Sequence, residues 1–199
     1  MRAGGADKER DQRLLNAAAD VISEHGFEGL RGDVVAARAE VPEDAVPEPW
    51  ELFAAVIRTD EDRFNAIVDG AVGAANAPAE QLLAVIEACV TDFDWTYWIE
   101  LWSLGLRDER ARELRDQLDV AFRARIANLI EAGRAAGAFD VPDPESAAVA
   151  ISTLIDALAV DATLRDDTVS PNYMFGLSAS VAGRLVGAEL KLPGRGDDA

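Results

Sequence analysis

The sequence predicts an all-α protein. Apolar residues recur at three- and four-residue spacing in nearly every stretch long enough to judge, and helix starters and stoppers stand at the ends of those stretches. No run alternates apolar and polar side chains as a half-buried strand would.

Met1–Asp7 is short and Gly-containing and reads as a disordered lead. Leu14, Leu15, Ala18, Val21 and Ile22 then place a first helix over about Lys8–Glu24. His25-Gly26-Phe27 stops it, with Gly26 as a left-handed cap. A short second helix covers Arg31–Ala39 and offers Val34, Val35 and Ala37 for packing. Pro42–Pro49 is rich in breakers, since Pro47 and Pro49 each remove a donor and bias the residue before them away from helix. A long helix starts near Trp50, carries Leu52, Phe53, Val56, Ile57, Phe64, Ile67 and Val68, and loosens or ends over Gly70–Pro78.

Residues 79–104 read as one or two helices. Asp108–Ala136 is a long amphipathic helix with Leu114, Leu118, Phe122, Ile126, Leu129 and Ile130 as its buried stripe. Asp108–Arg112, Arg112–Asp116 and Asp119–Arg123 are spaced as i,i+4 pairs on its wet side, and Gly137 closes it. Asp143-Pro144 is an N-cap with proline at the first helical position and opens a helix to about Leu164. A final helix covers Pro171–Leu190, and Pro193–Ala199 reads as a loose acidic tail.

The 199 residues allow one large helical domain or a small one joined to a medium one, and 49% hydrophobic content supplies a sizeable core. Cys89 is the only cysteine, which rules out an intrachain disulfide and fits a reducing compartment. No leader and no uninterrupted membrane-spanning apolar run is found, so a cytoplasmic protein without membrane contact is expected. The net charge is −18. Residues 1–57 hold 6 Lys/Arg against 12 Asp/Glu, and residues 58–199 hold 13 against 25, so neither part is basic. That distribution opposes a phosphate backbone.

Trp95, Trp98 and Trp102 are spaced three and four apart and share one helical face, flanked by Phe93 and Tyr97. Such a stripe serves as core or dimer contact more often than not. Three indoles in eight residues nevertheless exceed packing needs, and indoles make flat walls with one donor each for an organic ligand. Asp92, Asp94, Glu100, Asp156 and Asp161 lie on the same candidate helices, and Asp156 sits among Ile155, Leu158, Ala159 and Val160. A carboxylate there must be paired, solvated or raised in pKa. The plain alternative is a capping or interhelix hydrogen bond for Asp156 and a solvated face for Asp92 and Asp94. The sharper reading is a cationic ligand meeting a carboxylate beside an aromatic wall, with Trp95, Trp98, Trp102, Asp94, Phe122 and Asp156 as the ligand-binding set. One histidine, His25, and one cysteine give no metal-ligand spacing and no Ser-His relay, and no Gly-rich phosphate loop is present. No cofactor or metal is expected.

Arg13-Leu14-Leu15-Asn16-Ala17-Ala18-Ala19 through Glu24-His25-Gly26-Phe27-Glu28-Gly29 resembles the first helix of the TetR/AcrR family. Asp33–Val41 is similar to that family's second helix and the start of its turn, and Trp50–Val56 to the opening of its connecting helix. Leu106-Arg107-Asp108-Glu109, Ala132–Phe139, Asp143-Pro144 and Leu154–Leu158 resemble its effector-binding half. The resemblance implies an N-terminal helix-turn-helix-like three-helix domain over residues 1–49 and a ligand-binding and dimerisation domain over 50–192, with 193–199 as tail. It also implies a homodimer through the last two long helices.

The departure lies where the recognition helix belongs. Val41–Trp50 is several residues too short and holds no Ser, Tyr, His, Lys or Arg. Between Arg38 and Arg58 there is no basic residue, and there are five acidic ones: Glu40, Glu43, Asp44, Glu48 and Glu51. Glu40 replaces the turn glycine where a positive φ is wanted. A reading helix needs donors for phosphates and base edges and enough length to fill a groove. Arg31 and Arg38, with Arg10 and Arg13, are the remaining candidates for DNA contact. Three readings follow: a ligand-responsive transcriptional regulator with an eroded reader, a TetR-fold ligand binder or protein partner that has lost DNA binding, and an acid/base enzyme of cyclase, dehydratase or isomerase type on the same scaffold.

Overall fold

The computed structural model describes residues 3–91, 93–165 and 168–190; the expected tail at 193–199 and the candidate Asp92 lie outside the described residues. Among the described residues there are eight α-helices, two single-turn 3₁₀ segments (Phe27–Gly29 and Glu43–Ala45) and no strand. The helices are α1 Ala3–His25, α2 Gly32–Ala39, α3 Pro49–Ala74, α4 Pro78–Thr91, α5 Trp95–Gly105, α6 Glu109–Ala135, α7 Pro144–Thr163 and α8 Pro171–Leu185. Helix thus begins at Ala3, inside the stretch expected to be disordered, and α3 runs through both Gly70 and Gly73.

The chain forms two compact units, and each is assembled from separated segments. The first holds residues up to Arg63 together with Thr96–Leu114. Its core is the predicted apolar face of α1 (Leu14, Ala18, Val21, Ile22) with Val35, Ala36 and Ala39 of α2 and Leu52, Phe53, Val56 and Ile57 of α3. Phe27 meets Phe53 edge-on at 5.4 Å. The turn after α1 is held by Glu100 of α5, whose Oε1 accepts the Phe27 amide at 2.7 Å. Gly26 has φ 67°, as its capping role requires.

The second unit holds Phe64–Trp95 and the chain from Arg115 onward. Leu82, Val85 and Ile86 of α4, Ile126 and Ile130 of α6, Ile151 and Ile155 of α7, and Met174 and Phe175 of α8 form its core. Helix α6 ends in a Schellman motif: Gly137 has φ 74°, its amide bonds to Arg134 O at 3.0 Å, and the Ala138 amide bonds to Gly133 O at 2.9 Å. Gly133 is required there, because a Cβ would come within 2.2 Å of the Phe139 ring. Asp143 caps α7 as its sequence predicts, accepting the Ser146 amide at 3.0 Å. Ser170 does the same for α8. That helix stops at Leu185 rather than near Leu190, because Gly187 (φ 64°) turns the chain and lets the Ala188 amide close on Gly183 O at 2.9 Å.

Helix α7 is long and apolar enough to cross a membrane by length and composition, although Asp156 and Asp161 interrupt its apolar run. Ile151, Ile155, Leu158 and Ala159 of this helix lie in the core of the second unit.

Candidate functional site

Two places are candidates for function, one in each unit. In the first unit, α2 ends on Glu40, which stands in the left-handed region at φ 55°, ψ 48°. The chain then passes Pro42 and makes a single 3₁₀ turn, Glu43–Ala45, before α3 begins at Pro49. Glu43, Asp44 and Glu48 are exposed.

The arginines that could have met phosphate are engaged within the unit. Arg31 makes a two-pronged pair with Asp33, at 3.1 and 2.8 Å. Arg38 does the same with Glu24, at 3.0 and 2.7 Å. The Arg38 guanidinium bonded to Glu24 holds that carboxyl below its ordinary range. Arg10 pairs with Asp7 and Asp11, and Arg13 donates to the Ala39 carbonyl at 3.1 Å. Exposed pairs of this kind stabilise the fold little. Their bearing here is that each guanidinium already faces a carboxylate or a carbonyl.

In the second unit an aromatic chain runs Phe122–Phe64–Phe93–Trp95. Phe64 meets Phe122 at 6.1 Å and Phe93 edge-on at 4.6 Å, and Phe93 meets Trp95 edge-on at 4.5 Å. Trp95 donates its indole N–H to Cys89 O at 2.9 Å. Beside Phe122 on α6 stand Arg115, Asp119 and Arg123. Arg115 reaches Asp119 Oδ2 at 3.0 Å and Arg123 reaches it at 3.6 Å. The Asp119 side chain is only 14% exposed, so it does not lie on the wet face where the i,i+4 spacing alone placed it. Burial raises its pKa against the pull of both arginines. Asp156 of α7 is half-buried and pushed up to about 6, first by burial and then by the like charge of Asp119, with Arg123 and Arg115 opposing.

The structure therefore joins Phe122, Trp95 and Asp156 to the second unit. Trp98, buried, and Trp102, half-buried, belong to the part of α5 in the first unit, where Tyr97 bonds to Ser23 at 3.3 Å. Asp94 is half-buried in the link just before α5. Sequence reasoning missed Arg115, Asp119 and Arg123 as site residues. The available signal was spacing: Asp119 lies three residues before Phe122 and seven before Ile126, on the apolar stripe itself.

Residues 78–185, more than half of the chain, match the family model for the C-terminal domain of BetI-type transcriptional repressors. The chain belongs to the TetR family of transcriptional regulators. It has that family's regulator fold with a ligand-binding C-terminal domain, and proteins of the TetR family typically dimerise and bind small molecules. Solved TetR-type structures superpose over nearly their whole length. A TetR-family regulator from a Rhodococcus species is 21% identical with a TM-score of 0.78, over 90% of this chain and 99% of that one. A regulator from Saccharomonospora viridis in complex with choline is 18% identical with a TM-score of 0.79, over 87% and 95%. The regulator FadR from Bacillus subtilis, in complex with stearoyl-CoA, is 18% identical with a TM-score of 0.72, over 88% and 97%. No curated protein matches the chain.

Proposed function

We propose that this TetR-family protein senses a small organic cation and has given up ordinary operator reading. The observation that carries the loss of reading is the state of the first unit. Where a recognition helix belongs it has one acidic 3₁₀ turn, and Arg31 and Arg38 are each clamped by a carboxylate of the same unit. A protein that neutralises phosphates must present free cations, and each pair already made has to be broken first. Carboxylates such as Glu43 and Asp44 at that surface would repel the backbone.

The second unit supports the sensing half. Asp119, paired with Arg115 and Arg123, lies one turn before Phe122, an end of the aromatic chain, and its charge acts on Asp156, which has no ion pair of its own among the described residues; an unpaired carboxylate and aromatic rings in one unit are groups that attract cations. The choline complex of the Saccharomonospora viridis regulator is in keeping with a quaternary ammonium ligand. Titration of choline chloride by calorimetry tests the reading: saturable binding is expected, and none would count against it.

The dimer is proposed to form through α7 and α8. Val149 of α7 and Tyr173 of α8 are large apolar side chains left 45% and 51% exposed. Along α8 runs a shallow groove of about 430 Å³, lined by Gly176, Ala179, Ser180 and Gly183 among others, where a partner helix could approach closely. A Cβ at Gly176 would touch nothing within 4 Å. Gly176→Leu should therefore leave the monomer folded, fill the groove and shift sedimentation toward monomer. An unchanged dimer would move the interface elsewhere.

A further inference from the structure

Helices α1 and α3 of the first unit each turn a polar face toward a common cleft. Gln12, Leu15, Asn16 and Ala19 follow the three- and four-residue spacing of one face of α1, and Val56, Thr59, Asp60 and Arg63 follow the same spacing on α3. Both sets, with Tyr97 of α5, line a cleft of about 150 Å³ that lies wholly within the first unit. A face at that spacing between neighbouring helices is ordinarily apolar. Here Leu15, Ala19 and Val56 supply a small apolar wall, and the rest of the lining is polar. Asp60 lies deep, with its side chain 8% exposed, whereas that of Arg63 is 49% exposed. Negative charge is therefore at the floor and positive charge at the rim. Arg63 donates from Nε and Nη2 to one oxygen of Asp60, Oδ1, at 3.2 and 2.8 Å. An ionised carboxylate accepts at roughly four lone pairs and a guanidinium donates through several N–H groups, so the pair has the capacity for further partners on both sides. The polar walls are braced: Gln12 donates to Asn16 Oδ1 at 3.0 Å, and Ser23 to the Tyr97 hydroxyl at 3.3 Å. The Thr59 hydroxyl donates back to Ala55 O at 2.8 Å, which leaves its oxygen to act as an acceptor.

We propose that this cleft binds a small zwitterion of the α-amino-acid type, with its ammonium against Asp60 at the floor and its carboxylate against Arg63 at the rim. Charge, size and lining select that class. The lining carries one charge of each sign, so a ligand with one of each matches both and adds no net charge. A cleft of about 150 Å³ takes roughly six non-hydrogen atoms, which gives an α-amino acid a side chain of one or two atoms. Leu15, Ala19 and Val56 cover that short side chain. The ammonium adds a charge-assisted hydrogen bond to a carboxylate already withdrawn from water. Occupancy ties α1 to α3, since the ligand touches both helices. The site is distinct from the cation site proposed above, which belongs to the second unit.

The test is calorimetric titration of L-alanine, glycine and L-serine into the full-length protein, with propylamine and propionate as probes that carry one charge each. Saturable binding of at least one amino acid, one per chain, is expected. Propylamine and propionate should each bind about tenfold more weakly or worse, because each lacks one charge-assisted contact. D60N and R63Q should weaken the amino acid by a similar factor. A19L fills the cleft from α1 without removing a polar group, so it should abolish binding at an unchanged melting temperature, and it carries the test if D60N does not fold. No saturable binding of any of the three amino acids would overturn the site, and undiminished binding by A19L would overturn its location. Propylamine binding as tightly as L-alanine, or undiminished binding by R63Q, would overturn the zwitterion.

Discussion

Glu40 occupies a backbone conformation that costs a side-chain-bearing residue roughly 1 kcal/mol. The strain was legible in the sequence, since Glu40 stands where a turn glycine is wanted and φ is 55°. Glu40→Gly should raise stability by about 0.5–1 kcal/mol in urea denaturation. An unchanged midpoint would show that the turn tolerates glutamate freely. Asp156 makes the second residue-scale case. Its apolar neighbours along α7 announced an unusual carboxylate, but the α6 charges that act on it could not be read, because which helices share a core is not written in any one of them. With its pKa pushed up to about 6, the folded protein holds the proton more tightly than the unfolded chain. Stability from this group therefore increases as pH falls from above 6 toward the ordinary carboxylate range. Asp156→Asn should stabilise the protein at pH 8, by on the order of 1–2 kcal/mol after allowance for partial exposure, and the gain should vanish near pH 4. Thermal melts across that range give the answer, and a destabilised variant at pH 8 would contradict the burial argument.

At the scale of elements, α6 and α7 were the most legible, because the signals at Gly137 and Asp143-Pro144 are chemical and local. Asp143 accepts both the amide and the hydroxyl of Ser146, and these bonds hold its carboxyl below the ordinary range. Its contribution is thus present above the ordinary carboxylate range and lost as pH falls through its lowered folded value. Asp143→Ala should lower the urea midpoint at neutral pH, and lower it less in acid. The split of residues 79–104 into α4 and α5 was left open by the periodicity, since Phe93 and Asp94 carry no breaker signal. The three tryptophans share a helix and a spacing, yet Trp95 falls in the second unit while Trp98 and Trp102 fall in the first. Periodicity assigns a face to a helix; it does not say that one compact unit will cover the whole of that face. The same limit explains Asp119, assigned to solvent by its i,i+4 partner although it lies on the apolar stripe.

For the whole molecule the decisive quantity is where charge is free. A net charge of −18 leaves room for a local basic patch. Composition alone could not say whether Arg10, Arg13, Arg31 and Arg38 formed one. Each of them faces a partner inside the first unit: Asp7 and Asp11 for Arg10, the Ala39 carbonyl for Arg13, Asp33 for Arg31 and Glu24 for Arg38. The short acidic turn was visible in the residues; the clamping of the arginines needed the fold, because Arg38 and Glu24 are fourteen positions apart. The most direct test is a fluorescence-anisotropy titration of the full-length protein against its own upstream DNA and a random duplex, at low and moderate salt. The account predicts no sequence-selective binding at either salt and at most weak binding at low salt. Tight, salt-dependent and selective binding to the upstream DNA would contradict it, and would mean that the segment from Glu40 to Trp50 reads an operator after all.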